Sequence, residues 1–89
     1  MQTIIPGDRK DRCYLCHRGG RMETHHCLHG IRRKKADANG LTVHLCPECH
    51  RQLHDHGTGD LYLEQTAQRA FEKRHGKEKW MQEFGKNYL

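Results

Sequence analysis

Long apolar runs are missing from the sequence, and that absence excludes the most. No segment is long and hydrophobic enough to span a bilayer, and the opening Met1 to Arg12 stretch lacks the apolar core of a secretory signal. A reducing, cytoplasmic compartment is therefore expected, with no membrane partner. Internal repeats, low-complexity tracts and linkers are also missing, so the 89 residues read as one domain, 1–89. Apolar material is scarce throughout, since only 34% of residues are hydrophobic while 30% are charged. A core this small needs a staple from disulfides, a metal or a partner subunit. The cysteine count is five, which leaves one thiol over in any disulfide scheme, and a reducing compartment disfavours disulfides in any case.

What is present points to metal. Cys13-x2-Cys16 and Cys46-x2-Cys49 are two knuckles, each able to offer two thiolates, and together they make the tetrahedral four-thiolate set of a structural Zn²⁺. Cys27 is left out of that set and reads as a small buried hydrophobe. The expected fold class is a small zinc-stabilised α+β domain. Glu23 to Leu28 and Leu41 to Leu45 read as short strands, with Gly19-Gly20, Gly30 and Asn39-Gly40 as turn signals around them. A helix starts near Pro47 and runs to His56, with proline at an early position where its missing donor costs nothing.

Beyond Gly57-Thr58-Gly59 the composition changes. Leu63, Ala67, Ala70 and Phe71 fall at helical spacing after Asp60, a candidate N-cap, and Gly76 follows as a terminator. A shorter helix should carry Trp80, Met81 and Phe84 towards the core and stop at Gly85. Trp80 reads as packing rather than as a platform for stacking a nucleobase. Residues 13–56 thus form the zinc-stapled core, and 60–89 a helical extension.

Charge is unevenly placed. The net charge is +5, and Lys plus Arg outnumber Asp plus Glu by 10 to 6 over residues 1–56 but only by 6 to 5 over 57–89. A basic half suits a polyanion, although it also serves solubility. Within it, Arg32, Arg33, Lys34 and Lys35 form a run in the segment between the two strands, read as a loop near any bound phosphate backbone.

The histidines suggest a second site. His50 and His54 are i, i+4 on the expected helix and so share a face, where they can share an ion. His25 and His26 are adjacent on a strand and must point to opposite faces. One of the two can complete a three-imidazole metal set, and the other can act as a base, since an unperturbed imidazole titrates at about pH 6.5. His56 is an alternative to His54 should the helix end early, while His29 and His44 read as surface or supporting residues.

In this order and spacing, Cys13-x2-Cys16, His25-His26, Leu45-Cys46-x2-Cys49-His50 and x3-His54 resemble the HNH endonucleases, whose shared element is a ββα-metal finger. The resemblance covers about residues 13–56, and the ending Phe84-Gly85-Lys86-Asn87-Tyr88-Leu89 is similar to that of small phage-encoded members. It implies a metal-dependent hydrolase that cuts DNA, with His26 as general base and His25, His50 and His54 holding a catalytic Mg²⁺, Mn²⁺, Zn²⁺ or Ni²⁺. No base-reading element is recognisable, so low sequence specificity is expected. One residue departs from the pattern. Leu41 stands where the family carries its middle Asn, and Asn39 is the nearest substitute. That departure keeps open a catalytically inactive, zinc-stabilised nucleic-acid-binding adaptor, and also a second, purely structural zinc on the three histidines.

Overall fold

The computed structural model describes residues 3–89; Met1 and Gln2, the first two residues of the expected domain, lie outside the described residues. Two antiparallel strands, β1 (Glu23–His26) and β2 (Thr42–Leu45), form the sheet, paired with His25 opposite Val43 and His26 opposite Thr42. A 3-10 turn (Gly30–Arg32) and helix α1 (Arg33–Ala38) connect them, and α2 (Pro47–His56), α3 (Asp60–His75) and α4 (Lys77–Phe84) follow. This is a small, compact α+β fold. Among the described residues no helix is long and apolar enough to cross a membrane.

The segment between the strands differs from the expected loop. The basic run Arg32 to Lys35 is helical, because Arg, Lys and Ala are good helix formers and Ala36 is fully buried on the inner side of α1. Gly40, with φ +71°, then reverses the chain into β2, a conformation a side chain would strain. β1 also ends earlier than expected, at His26 rather than Leu28. The Cys27 N–H still reaches the Leu41 carbonyl at 3.0 Å, and both Cys27 and Leu28 turn into the core.

Helix α2 starts and stops where its sequence signals lie. Cys46 is its N-cap, with its sulfur accepting from the Cys49 N–H, Pro47 follows, and Gly57 ends it in the left-handed conformation at φ +70°. In α3 the cap position belongs to Gly59 and Asp60 is the first helical residue, which frees the Asp60 carboxylate for other contacts. The buried face of α3 is Leu63, Ala67, Ala70 and Phe71, as the spacing requires. In α4, Trp80 and Phe84 are buried one turn apart, whereas Met81 is 40% exposed because it projects about 100° away from Trp80. Trp80 and Phe84 stack at 4.3 Å between centroids, with Phe71 edge-on to both.

These aromatics belong to one buried cluster that also takes in Leu28, Leu41, Val43, Leu45, Leu53, Cys13 and Cys46. The segment before the first knuckle is pinned to β2. Asp8 accepts the His44 backbone N–H at 2.7 Å, and the ring Nδ1–H of the same residue at 2.6 Å.

Candidate metal centre

The two knuckles are built alike. Cys16 N–H points at the sulfur of Cys13 and Cys49 N–H at that of Cys46, so each first cysteine is held by the turn that carries the second. The Tyr14 N–H donates to the His44 carbonyl at 2.8 Å, which docks the first knuckle on β2, and the second knuckle is itself the start of α2. The four sulfurs come within 4.8 Å of one another, and those of Cys16 and Cys46 lie 3.7 Å apart. All five cysteines are free thiols, and Cys27 is buried outside this group, as expected.

The environments of Cys13 and Cys49 pull in opposite directions. Burial opposes ionisation of Cys13, but hydrogen bonds from the backbone of Cys16, Cys46 and Leu15 outweigh it and bring its pKa down to about 6. Cys49 is pushed well up by burial, by the protons it shares with the other three sulfurs and by the charge on Cys13. One thiolate forms readily and repels a second; a divalent ion removes that conflict. The four cysteines can hold a structural metal.

A second group lies on the opposite side of β1 from His26. His25, His50 and His54 bring ring nitrogens within 4.8 Å of one another, with ring centroids 5.3 Å and 5.7 Å from His25. His50 Nε2 and His54 Nε2 are 3.0 Å apart, close to the roughly 3.4 Å separation of two nitrogens on one tetrahedral ion. The other nitrogen of His50 donates to Glu23 at 2.8 Å, which fixes the ring and leaves Nε2 as the free lone pair. His25 is only 3% exposed, and its Nε2 is a buried polar atom without a partner. Burial, and then the neighbouring rings of His50, His29 and His54, lower its pKa to about 4. At neutral pH His25 is uncharged, and a buried ring nitrogen that lacks any partner in the protein is one that binding a metal would satisfy.

Compared with protein families, curated proteins and solved structures, the chain matches none of them.

Function must therefore be argued from the donors themselves. Among the described residues no fourth Cys, His, Asp or Glu joins the three-histidine set, so an ion there would keep coordination positions open. His54, not His56, is the helical partner of His50: α2 continues through His56, which joins no metal-capable group. His26 is on the other face of β1, yet it lines the same cleft of about 230 Å³ as the three imidazoles. Its Nε2–H donates to Asp37 on α1 at 3.0 Å, leaving Nδ1 as the acceptor nitrogen. The basic run divides. Arg32 donates to the Phe84 carbonyl at 2.9 Å and Lys35 to that of Glu83 at 2.8 Å, so both are occupied at the end of α4. Arg33 lines the imidazole cleft, and Arg33 and Lys34 line a neighbouring depression beside His26 and Asp37.

Glu23 and Asp37 have no part in the sequence reading, where His29 is a surface or supporting residue and Asp60 an N-cap. Glu23 sits two residues before His25 on a strand, hence on the same face, which is a usable signal. The others come together across 11 and 31 residues of chain and had no local pattern.

Proposed function

We propose that this chain is a metal-dependent endonuclease of the HNH type, hydrolysing phosphodiester bonds in DNA. In this reading residues 13–56 are the ββα-metal finger, with zinc on Cys13, Cys16, Cys46 and Cys49 and a catalytic divalent ion on His25, His50 and His54. One observation carries it: three imidazoles converge without a fourth protein ligand, and a fourth imidazole, His26, opens onto the same cleft with a free nitrogen.

The bound ion would supply Lewis-acid stabilisation of charge developing on the phosphate and the leaving 3′ oxygen. The chain does the rest. Asp37 holds the proton on Nε2 of His26, so that Nδ1 can accept a proton from the attacking water. Glu23 performs the matching service for His50, keeping its proton on Nδ1 and its Nε2 directed to the ion. Arg33 and Lys34 stand beside this cleft with no carbonyl or carboxylate of the chain paired to them among the described residues, which suits a phosphate backbone. The absence of any base-reading element favours low sequence specificity. Five free thiols fit a reducing cytoplasm.

Leu41, fully buried at the position of the family's middle Asn, favours the second reading, a nucleic-acid-binding adaptor without catalysis. The two separate in one experiment. Purified protein should nick or linearise plasmid DNA with Mg²⁺, Mn²⁺ or Ni²⁺, and His26→Ala should abolish this while zinc content is unchanged. A parent protein that binds DNA but cuts with none of these ions supports the adaptor, and cleavage surviving His26→Ala removes His26 from the role of base.

A further inference from the structure

We propose that His25, His29 and Asp60 form a second divalent-cation site, overlapping the three-histidine set and preferring ions such as Mn²⁺ because it supplies a carboxylate. The donor atoms of these three residues lie within 4.8 Å of one another. They arrive from distant parts of the chain: His25 from β1, His29 from the residue before the 3-10 turn, and Asp60 from the first turn of α3. His29 Nε2 and Asp60 Oδ1 are in contact at 2.6 Å. His25 stands between the two groups, with its ring 5.5 Å from that of His29 and 5.3 Å from that of His50.

A further observation, shared with the three-histidine set, points to a ligand. His25 is almost fully buried and its Nε2 has no partner in the protein, so neither the His29–Asp60 contact nor the His50–Glu23 contact satisfies it. Negative charge also accumulates on the Asp60 side. Glu64 lies one helical turn further along α3, and burial together with the Asp60 charge raises its carboxyl above the usual range, although His29, Lys86 and Arg32 act against the shift. A cation beside Asp60 offsets that crowding.

His29 and Asp60 group with His25 but not with His50 or His54, so the five residues do not make one closed cage. Both sets draw on His25, and they therefore compete for it. Donor chemistry decides the winner. Three imidazoles suit Ni²⁺ and Zn²⁺, whereas a set including a carboxylate moves preference towards Mn²⁺. This competition rests on the three-histidine reading above, but binding can be measured without DNA and so apart from any cleavage.

The test is calorimetric titration of the full chain, its four-cysteine site already filled with zinc, by Mn²⁺ alone and by Ni²⁺ alone. Asp60→Asn and His29→Gln should each weaken Mn²⁺ binding by at least about tenfold, the scale seen when groups supporting a metal are lost, and leave Ni²⁺ affinity within about threefold. His54→Ala should do the reverse. Retained Ni²⁺ binding in the first two variants shows that each is folded, and two variants guard against the loss of one. Unchanged Mn²⁺ affinity in both overturns the proposal, leaving His29–Asp60 a hydrogen-bonded pair. So does equal weakening of both ions by Asp60→Asn and His54→Ala, which would mean a single site. A parent protein that binds Mn²⁺ but not Ni²⁺ overturns the three-histidine set instead.

Discussion

Without a metal on the four cysteines the whole chain should unfold, through to helices α3 and α4. For 89 residues, ordinary domain stability is about 4–13 kcal/mol. A structural zinc site contributes an apparent 10–16 kcal/mol or so, which is comparable with that whole margin or larger. The structure says where the loss would spread. Cys13 and Cys46 are 1% and 2% exposed and sit in the same buried cluster as Leu45, Leu53, Phe71 and Trp80. Metal-free, the four thiols must stay protonated or repel one another within 4.8 Å, and the register of both knuckles against β2 is lost. Trp80 is the reporter. It is the chain's one tryptophan, 0% exposed, and its indole N–H donates to the Lys86 carbonyl at 2.7 Å. Excess chelator in reducing buffer should shift its emission to the red in step with loss of far-UV ellipticity, and one equivalent of zinc should restore both. An apoprotein, verified below about 0.1 equivalent of zinc, that keeps its ellipticity and a buried Trp80 would refute the reasoning. A buried Trp80 above a melted hairpin would refute the shared cooperativity.

Two further outcomes follow from individual contacts. Leu41→Asn, which installs the asparagine that the proposed HNH reading calls for, should cost about 3–5 kcal/mol in urea unfolding and raise no cleavage, because Leu41 is 0% exposed and an amide there is buried among apolar side chains; a variant as stable as the parent with faster cleavage would refute this. Arg33→Ala should lower the salt dependence of DNA affinity by about one unit of slope, whereas Arg32→Ala should leave the slope alone and cost roughly 1–2 kcal/mol of stability by freeing the Phe84 carbonyl; a larger slope change for Arg32 would reverse the assignment.

The parts of the fold legible in the sequence were those fixed by near neighbours. The i, i+4 spacing of His50 and His54, the two-residue gaps in the knuckles, and Pro47 and Gly57 at the ends of α2 are local rules, and the structure shows each of them. Alternation on a strand likewise separates His25 from His26. The misreadings have a common cause. Arg32 to Lys35 read from sequence as a loop beside bound phosphates because nothing nearby reveals that α4 ends against Arg32 and Lys35, 52 and 48 residues away. Met81 was grouped with Trp80 and Phe84, yet only residues one full turn apart share the inner face. Asp60 was read as a cap because Gly59, with φ +85°, carries no side-chain signal for that role.

The two metal-capable groups are mechanically linked, and that link constrains any account of function. Cys46 directly follows β2 and caps α2; Cys49 and His50 are neighbours on the first turn of that helix. An ion on the four cysteines therefore sets the rotation of α2 about its own axis, and with it the direction of His50 and His54 towards β1. The strand register does the complementary work, since a slip of one residue would turn His25 outwards and His26 in. Four contacts oppose such a slip: Tyr14 on the His44 carbonyl, Asp8 on the His44 N–H, the N–H of Cys27 on Leu41, and Glu23 on His50. On the proposed reading, the catalytic ion finds its ligands in place only after the structural ion has bound. Zinc loading should thus precede any binding at His25, and the order of the two affinities follows from the chain's connectivity rather than from the ligands alone.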